Sequence, residues 1–156
     1  MAKCGYSVTT EGAVALSAAT AKSIIGVKSA ADFGLDLKKY RIAFDGVTAS
    51  AVPVFIELCY ATWATNGPGT NSTSTTPHQE YGRAIAHATT AAANWTSEPT
   101  VLTVIDSWDL TPNGGTVIYD YPLGDTPDSD LSNGFVIRCT APATVNVRAS
   151  LHWERC

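Results

Sequence analysis

Apolar and polar residues alternate along much of the chain with a period of two, which is the pattern of half-buried β-strands. The clearest case is residues 144–153. Its apolar members are Val145, Val147, Ala149, Leu151 and Trp153, and its polar members are Asn146, Arg148, Ser150 and His152. Because successive side chains of a strand point to opposite faces, we predict that one face lies in a core. The other face meets water or a partner.

The same alternation predicts strands over residues 135–140, 52–60 and 101–110. Residues 52–60 carry apolar side chains on both faces, so we expect that strand to be covered on both sides. Pro53 cannot donate a ladder hydrogen bond, which places it at the start of the strand or on an edge. Residues 41–44 read as a further strand that ends at Asp45 and Gly46.

Gly- and Asn-rich segments predict the turns. Residues 111–115 contain Asn-Gly and Gly-Gly, which favour a hairpin that pairs residues 101–110 with residues 116–121. Residues 64–77 have few apolar side chains after Ala64 and predict a long exposed loop. Residues 82–93 favour a strand over a helix.

Many short strands separated by Gly/Pro turns predict an all-β fold, a jelly roll or a related antiparallel β-sandwich. We expect a single domain overall, with residues 1–40 as an N-terminal segment, for which an attachment arm packed on the domain is one interpretation, and residues 41–156 as the sandwich. The predicted core consists of Val54, Ile56, Leu58, Leu102, Val104, Trp108, Phe135, Ile137, Val145, Val147 and Leu151.

Composition narrows the classes of function. Charged residues make up 15% of the chain, below the usual value of about 25%, which favours a surface that meets protein. The net charge is -4, and the densest cationic group is Lys38, Lys39 and Arg41, so nucleic-acid binding is not expected. No apolar run approaches the ~20 residues of a membrane span. The first six residues lack the apolar core of a secretory signal, so we expect synthesis in the cytoplasm.

The four cysteines form no C-x-x-C pair. Cys59 and Cys139 lie in apolar runs and are predicted to be small buried hydrophobes. Cys4 and Cys156 lie at the two ends of the chain. A bond between them, or from either one to a neighbouring subunit, stays open as an alternative in an oxidising medium.

Candidate chemistry is sparse, and we predict no enzyme and no cofactor. No nucleophile elbow, Walker loop or dinucleotide fingerprint is present. Two polar groups are weak metal candidates: His78, Glu80 and His87 near one loop, and, for calcium, Asp120, Asp125, Asp128 and Asp130. Both groups read more simply as solvated surface. Asp106 and Asp109 are expected on opposite strand faces, which argues against a glycosidase pair.

Four tryptophans and six tyrosines could stack sugars. Trp108 and Trp153 alternate with core positions and read as structural. Trp63 and Trp95 flank loops, and they are the candidates for sugar binding if their rings are exposed.

Several turns and strands resemble a family of small virion proteins of tailed phages. The matching segments cover most of the chain from about Arg41 onwards and comprise residues 44–46, 94–100, 106–108, 111–115, 121–124 and 138–147. They are structural turns and strands rather than catalytic signatures. The resemblance implies a jelly roll of the tumour-necrosis-factor-like shape, often trimeric, that serves as a capsid decoration or minor head protein.

We therefore expect a non-enzymatic virion structural protein that binds the major capsid protein, or another virion protein, and itself as a homotrimer. The alternative is a carbohydrate-binding adhesin or a tail-associated receptor-binding protein. A third hypothesis is a cupin-like metal enzyme. Such an enzyme needs a cluster of histidines that point into the barrel, and the three histidines of this chain are a weak basis for one.

Overall fold

A computed structural model describes residues 4–46 and 52–156. These residues form two antiparallel six-stranded sheets packed face to face, which confirms the predicted all-β sandwich. The strands are β1 (Gly5–Thr9), β2 (Val14–Leu16), β3 (Ala21–Lys28), β4 (Leu35–Phe44), β5 (Val54–Ala61), β6 (Thr73–Thr75), β7 (His78–Tyr81), β8 (Thr90–Ala93), β9 (Leu102–Leu110), β10 (Thr116–Asp120), β11 (Gly134–Thr140) and β12 (Val145–Arg155).

The strand order is that of a jelly roll. The first sheet runs β10-β4-β12-β1-β7, with β2 also paired to β12, and the second runs β6-β8-β3-β11-β5-β9. When the short strands β2, β6, β7 and β8 are left out, the first sheet runs β10-β4-β12-β1 and the second runs β3-β11-β5-β9. Numbered one to eight along the chain, these strands stand in the order 6-3-8-1 in the first sheet and 2-7-4-5 in the second. Two interlocked Greek keys give this arrangement.

The core lies between the sheets and is built by the predicted alternation. On β12, Val147 and Leu151 are buried, whereas Arg148 on the other face is exposed. Phe135 and Ile137 of β11 face the same interior from the second sheet. Tyr6 of β1 stacks on Trp153 at a ring-centroid distance of 6.3 Å and closes one end of the core. Two predicted core residues on the edge strand β9 are not in this core: Val104 is 44% exposed, and Leu102 is half-buried and packs on the outer face of the second sheet.

The predicted hairpin between residues 101–110 and 116–121 is also wrong. β9 pairs with β5 in the second sheet, and β10 pairs with β4 in the first. The turn has the expected chemistry, since Gly114 adopts a positive φ of 67°. It carries the chain around the edge of the sandwich from one sheet to the other, however, because each strand finds a longer partner in its own sheet. A local turn signal does not specify which strands pair.

Three further expectations are corrected. The predicted boundary at residue 40 falls inside β4, and β1, β2 and β3 belong to the two sheets, so the segment is part of the sandwich; its residues 1–3 lie outside the described residues. The loop expected over residues 64–77 contains strand β6, which pairs with β8. In residues 82–93, only the part that forms β8 is a strand. No helix within the described part of the chain has the length and apolarity to cross a membrane.

Candidate functional site

The outward face of β12 carries a row of polar side chains at the centre of the first sheet. Ser150, His152 and Glu154 alternate along this strand and are all less than 10% exposed. Buried polar groups need partners, because an unsatisfied one costs about 1–3 kcal/mol. The neighbouring strands supply these partners.

Two β-bulges aim side chains at this row. In the pairing of β1 with β7, Gly5 faces Tyr81 and Tyr6 faces Gln79, so Glu80 is the extra residue. In the pairing of β12 with β4, the register shifts between His152 and Trp153 in the same way. A bulge bends its strand and redirects a side chain, and bulges are frequent beside active sites.

Ser150, His152 and Glu80 form a continuous hydrogen-bonded chain, here called the relay. Ser150 Oγ lies 3.0 Å from His152 Nε2, and His152 Nδ1 lies 2.9 Å from Glu80 Oε1. Arg41 Nε on β4 donates to Ser150 Oγ at 3.2 Å. Arg41 and the relay together join three strands, with a guanidinium at one end and a carboxylate at the other.

A second network surrounds Glu154 at the end of the row. The Tyr81 hydroxyl donates to Glu154 Oε1 at 2.7 Å, and Lys38 Nζ lies 3.4 Å from Glu154 Oε2 and 2.7 Å from Asp36 Oδ2. Burial raises the pKa of the Tyr81 hydroxyl, and its hydrogen bond to Glu154 raises it further. Burial alone would lower the pKa of Lys38, but the hydrogen bond and charge of Asp36, with help from Glu154, outweigh it and raise that pKa.

A pocket of about 330 Å³ opens beside the relay on the same face of the sheet. Its lining includes Ser150, Arg41 and Arg148, together with the apolar side chains of Ala43 and Ile118. Ser150 is thus covered by neighbouring side chains and yet forms part of the pocket wall. A small molecule in this pocket would contact the serine and two guanidinium groups.

A separate apolar region lies where the edge strands of the two sheets meet. Val104 and Ile105 on β9, with Ile118 and Tyr119 on β10, are each at least 42% exposed; we call these four residues the edge surface. Beneath it, Tyr40 stacks on Trp108 at 5.2 Å and on Tyr119 at 5.5 Å. These ring contacts connect β9 to β10 across the open end of the sandwich.

Comparison with protein-family models, with curated proteins and with solved structures gives no match to this chain.

The predicted calcium loop does not assemble as a site. Asp120 pairs with Lys39 at 3.1 Å, and the backbone of Asp128 bridges to Asp36. Asp125 lies in a turn and donates its amide to Pro122. Asp130 accepts a hydrogen bond from Ser29 through its carbonyl oxygen. Across residues 4–46 and 52–156, no three or more His, Cys, Asp or Glu side chains are grouped as metal ligands.

The three residues of the histidine group do not come together as metal ligands either. His78 is exposed on β7, and His87 Nδ1 accepts the Thr89 amide at 3.1 Å. Glu80 contacts His152, which comes from the other end of the chain. The group predicted around one loop is therefore replaced by a pair that crosses the sheet.

Trp63 and Trp95, the candidates for sugar binding, do not have the exposed rings on which that interpretation depends. They are 6% and 1% exposed and stack at 6.0 Å over the outer face of the second sheet. With four small or branched side chains they form the outer cluster, whose other members are Cys59, Ala61, Ala92 and Val136. Trp63 and Asn94 each adopt a left-handed backbone with φ of 57°, which turns the chain back over the sheet.

Hydrogen bonds hold the loops of the outer cluster in place. Trp95 Nε1 donates to the carbonyl oxygen of Asn66 at 2.7 Å. The carboxylate of Glu98 accepts from both the amide and the hydroxyl of Ser23, at 2.7 and 2.6 Å. The chain's own loops thus cover the outer face of β5 at Cys59 and Ala61, whereas Phe55 on the same face is 40% exposed, so the expected cover on both sides holds for only part of the strand.

The cysteines are all free. Cys59 and Cys139 are buried, as predicted, and burial raises the pKa of Cys59 to about 11. Cys4 is buried, and its thiol donates to the Arg83 carbonyl oxygen at 3.6 Å. Cys156 is exposed. The Cys4–Cys156 bond left open by the sequence is absent from this structure.

Sequence reasoning missed Ser150 and His152 as site residues. The available signal was their i, i+2 spacing on the polar face of a predicted strand. It did not reveal Glu80, because Glu80 lies on β7 and reaches His152 across β1. No local pattern announces a partner that is two strands away.

Proposed function

We propose that this protein is a structural subunit of a tailed-phage virion, of the capsid decoration or minor head type, that binds the capsid and itself. The observation that carries the proposal is the edge surface. The edge strands of the two sheets expose four large apolar side chains, the ring contacts of Tyr40 link these strands, and exposed apolar side chains grouped in this way mark interaction sites. The virion setting comes from the resemblance of the turns and strands alone.

The edge surface suits contact through side chains rather than continuation of a sheet. Asp106 and Asp109 lie on β9, and charges on an edge strand oppose simple strand addition. A closed symmetric assembly covers one such surface on every subunit at once. We propose a homotrimer on this basis, in line with the shape that the resemblance implies.

Light scattering on the purified protein tests self-association. We expect a mass three times that of the 16.4-kDa chain at micromolar concentration, and a monomer mass for Ile105→Asp. Leu123→Asp is the matched control, because Leu123 is 88% exposed in a loop outside the edge surface. A monomer mass for the unchanged protein would overturn self-association.

The virion assignment needs a separate experiment. Imaging of phage particles that carry a tagged copy should place the protein on the head, bound to the capsid lattice. A position on the tail would favour receptor binding instead. The carbohydrate-binding alternative has lost its supporting observation, since both of its candidate rings are buried.

A further inference from the structure

We propose that Ser150 is an activated nucleophile and that the relay can carry out acyl transfer on a small carboxylic ester bound in the adjacent pocket. This inference does not rest on the structural role, because the relay lies on β7 and β12, outside the edge surface; Ile118 is the one residue that belongs to both the edge surface and the pocket wall. The sequence predicted no catalytic chemistry from the absence of local motifs. The relay, in contrast, is assembled by the fold from β7 and β12.

The direction of each hydrogen bond in the relay follows from its two ends. A guanidinium can only donate and an ionised carboxylate can only accept. Arg41 Nε therefore donates to Ser150 Oγ, and Glu80 Oε1 accepts from His152 Nδ1. With a neutral imidazole, His152 Nε2 is an acceptor, and it takes the hydroxyl proton of Ser150 at 3.0 Å. This is the polarity that a serine nucleophile and its general base require.

Glu80 is the positioning residue of the relay. The bulge in β7 leaves Glu80 without a cross-strand partner in β1 and allows its carboxylate to reach over that strand. A carboxylate at Nδ1 fixes the tautomer of the imidazole and stabilises the imidazolium that forms when the proton moves. Sites built on strands hold such geometry better than sites on loops, and Ser150 and His152 lie on the longest strand of the described chain.

The pocket defines the class of substrate. Ala43 and Ile118 offer an apolar wall, and the lining contains two positive charges, from Arg41 and Arg148, and one negative charge, from Glu11. A volume of about 330 Å³ accommodates a small ester with a short apolar acyl group. Negative charge that develops on the carbonyl oxygen during attack would lie near Arg41, and a cation placed where charge develops stabilises the transition state.

The reaction proceeds in two steps, acylation of Ser150 and hydrolysis of the acyl-serine. Ser150 Oγ forms a bond to the ester carbonyl carbon while His152 Nε2 takes the hydroxyl proton. The C–O bond to the leaving alkoxide then breaks, and the alkoxide leaves as an alcohol with that proton. Water next attacks the acyl-serine, gives one proton to His152, and releases the carboxylic acid as Ser150 regains its hydrogen. Only the ester and water are consumed.

A small fluorophosphonate probe tests the nucleophile on the intact protein. We expect one adduct per chain on the tryptic peptide of residues 149–155, whose only serine is Ser150. Ser150→Ala should lose the adduct. Ser7→Ala is the matched control, because Ser7 lies directly opposite His152 on β1 and is outside the relay. Absence of an adduct on the unchanged protein, or an adduct on another residue, would overturn the proposal. Neither result depends on whether a variant folds.

The rate of labelling separates positioning from mere folding. His152→Gln should slow modification of Ser150 about 100-fold, since it removes the base. Glu80→Gln should slow it at least tenfold, and Glu80→Asp should recover part of the rate because it restores the carboxylate. Equal rates for the unchanged protein and for Glu80→Gln would show that Glu80 does not act through His152. Hydrolysis of a nitrophenyl ester should follow the same order across the variants.

Discussion

Gly5 controls the contact between β7 and β12. A Cβ built at Gly5 would lie 2.2 Å from the ring of Tyr81, so the ring lies flat across this position. Gly5 faces Tyr81 on one side and Glu154 on the other. The missing side chain is therefore what allows the Tyr81 hydroxyl to reach Glu154 over the intervening strand.

Gly5→Ala should displace Tyr81 and break its hydrogen bond to Glu154. We expect the free energy of unfolding to fall by about 1 kcal/mol, the usual worth of such a bond. Urea unfolding measures this loss. Gly12→Ala is the control, because a Cβ there meets nothing within 4 Å. In a Tyr81→Phe protein, which already lacks the hydrogen bond, Gly5→Ala should lower the free energy of unfolding by less than it does in the unchanged protein. Strictly additive losses would show that Gly5→Ala does not act through this hydrogen bond.

At the scale of elements, the two loops that carry Trp63 and Trp95 act as a second core. A Cβ at Gly26 on β3 would lie 2.8 Å from the Trp63 ring and 3.0 Å from the Trp95 ring. The rings are thus packed onto the backbone of the sheet itself. They stabilise β3, β5 and β11 from outside, where a sandwich of this kind would otherwise expose its second sheet.

Trp95→Ala should lower the free energy of unfolding by about 3–5 kcal/mol, because it opens a cavity in the outer cluster. Chemical denaturation monitored by circular dichroism measures the change. Leu123→Ala, at an exposed position, should stay within about 0.5 kcal/mol of the unchanged protein. A small effect of Trp95→Ala would mean that the ring is not part of the stabilising structure.

The aromatic group beneath the edge surface makes stability depend on alkaline pH. Burial raises the pKa of Tyr40, and burial with the nearby charge of Asp106 raises the pKa of Tyr121 to about 12. Tyrosine in the unfolded chain titrates near pH ~10. The folded state therefore holds these protons more tightly, and their contribution is complete below about pH 10.

We expect the free energy of unfolding to fall as the pH rises above about 10, and the part due to Tyr121 to be lost by about pH 12. Urea unfolding at a series of pH values measures the fall. Tyr121→Phe should make the curve less steep, because its proton no longer takes part. An unchanged slope in that variant would place the alkaline sensitivity elsewhere.

For the whole molecule, the sequence determined the class of fold and most of the core, but not the pairing of strands. Alternation placed Val147 and Leu151 in the interior because the period of two is a property of each strand by itself. The partners of β9 and β10 depend on contacts far apart in sequence, and the local turn at Gly114 favoured the wrong pair. The relay was hidden for the same reason, since Glu80 and His152 are brought together by sheet order alone.

One pair of substitutions tests the fold and the assembly separately. Ile137 is fully buried between the sheets, whereas Ile105 is 43% exposed on the edge surface. Ile137→Asp should prevent folding, because an unpaired buried charge costs several kcal/mol and the whole stability of a domain is about 5–15 kcal/mol. Ile105→Asp should leave the near-ultraviolet circular dichroism of the folded chain unchanged, since the new charge remains in water. It should nevertheless abolish self-association. A folded Ile137→Asp protein would mean that the face of β11 is assigned wrongly, and an unfolded Ile105→Asp protein would mean that the edge surface belongs to the core of the single chain.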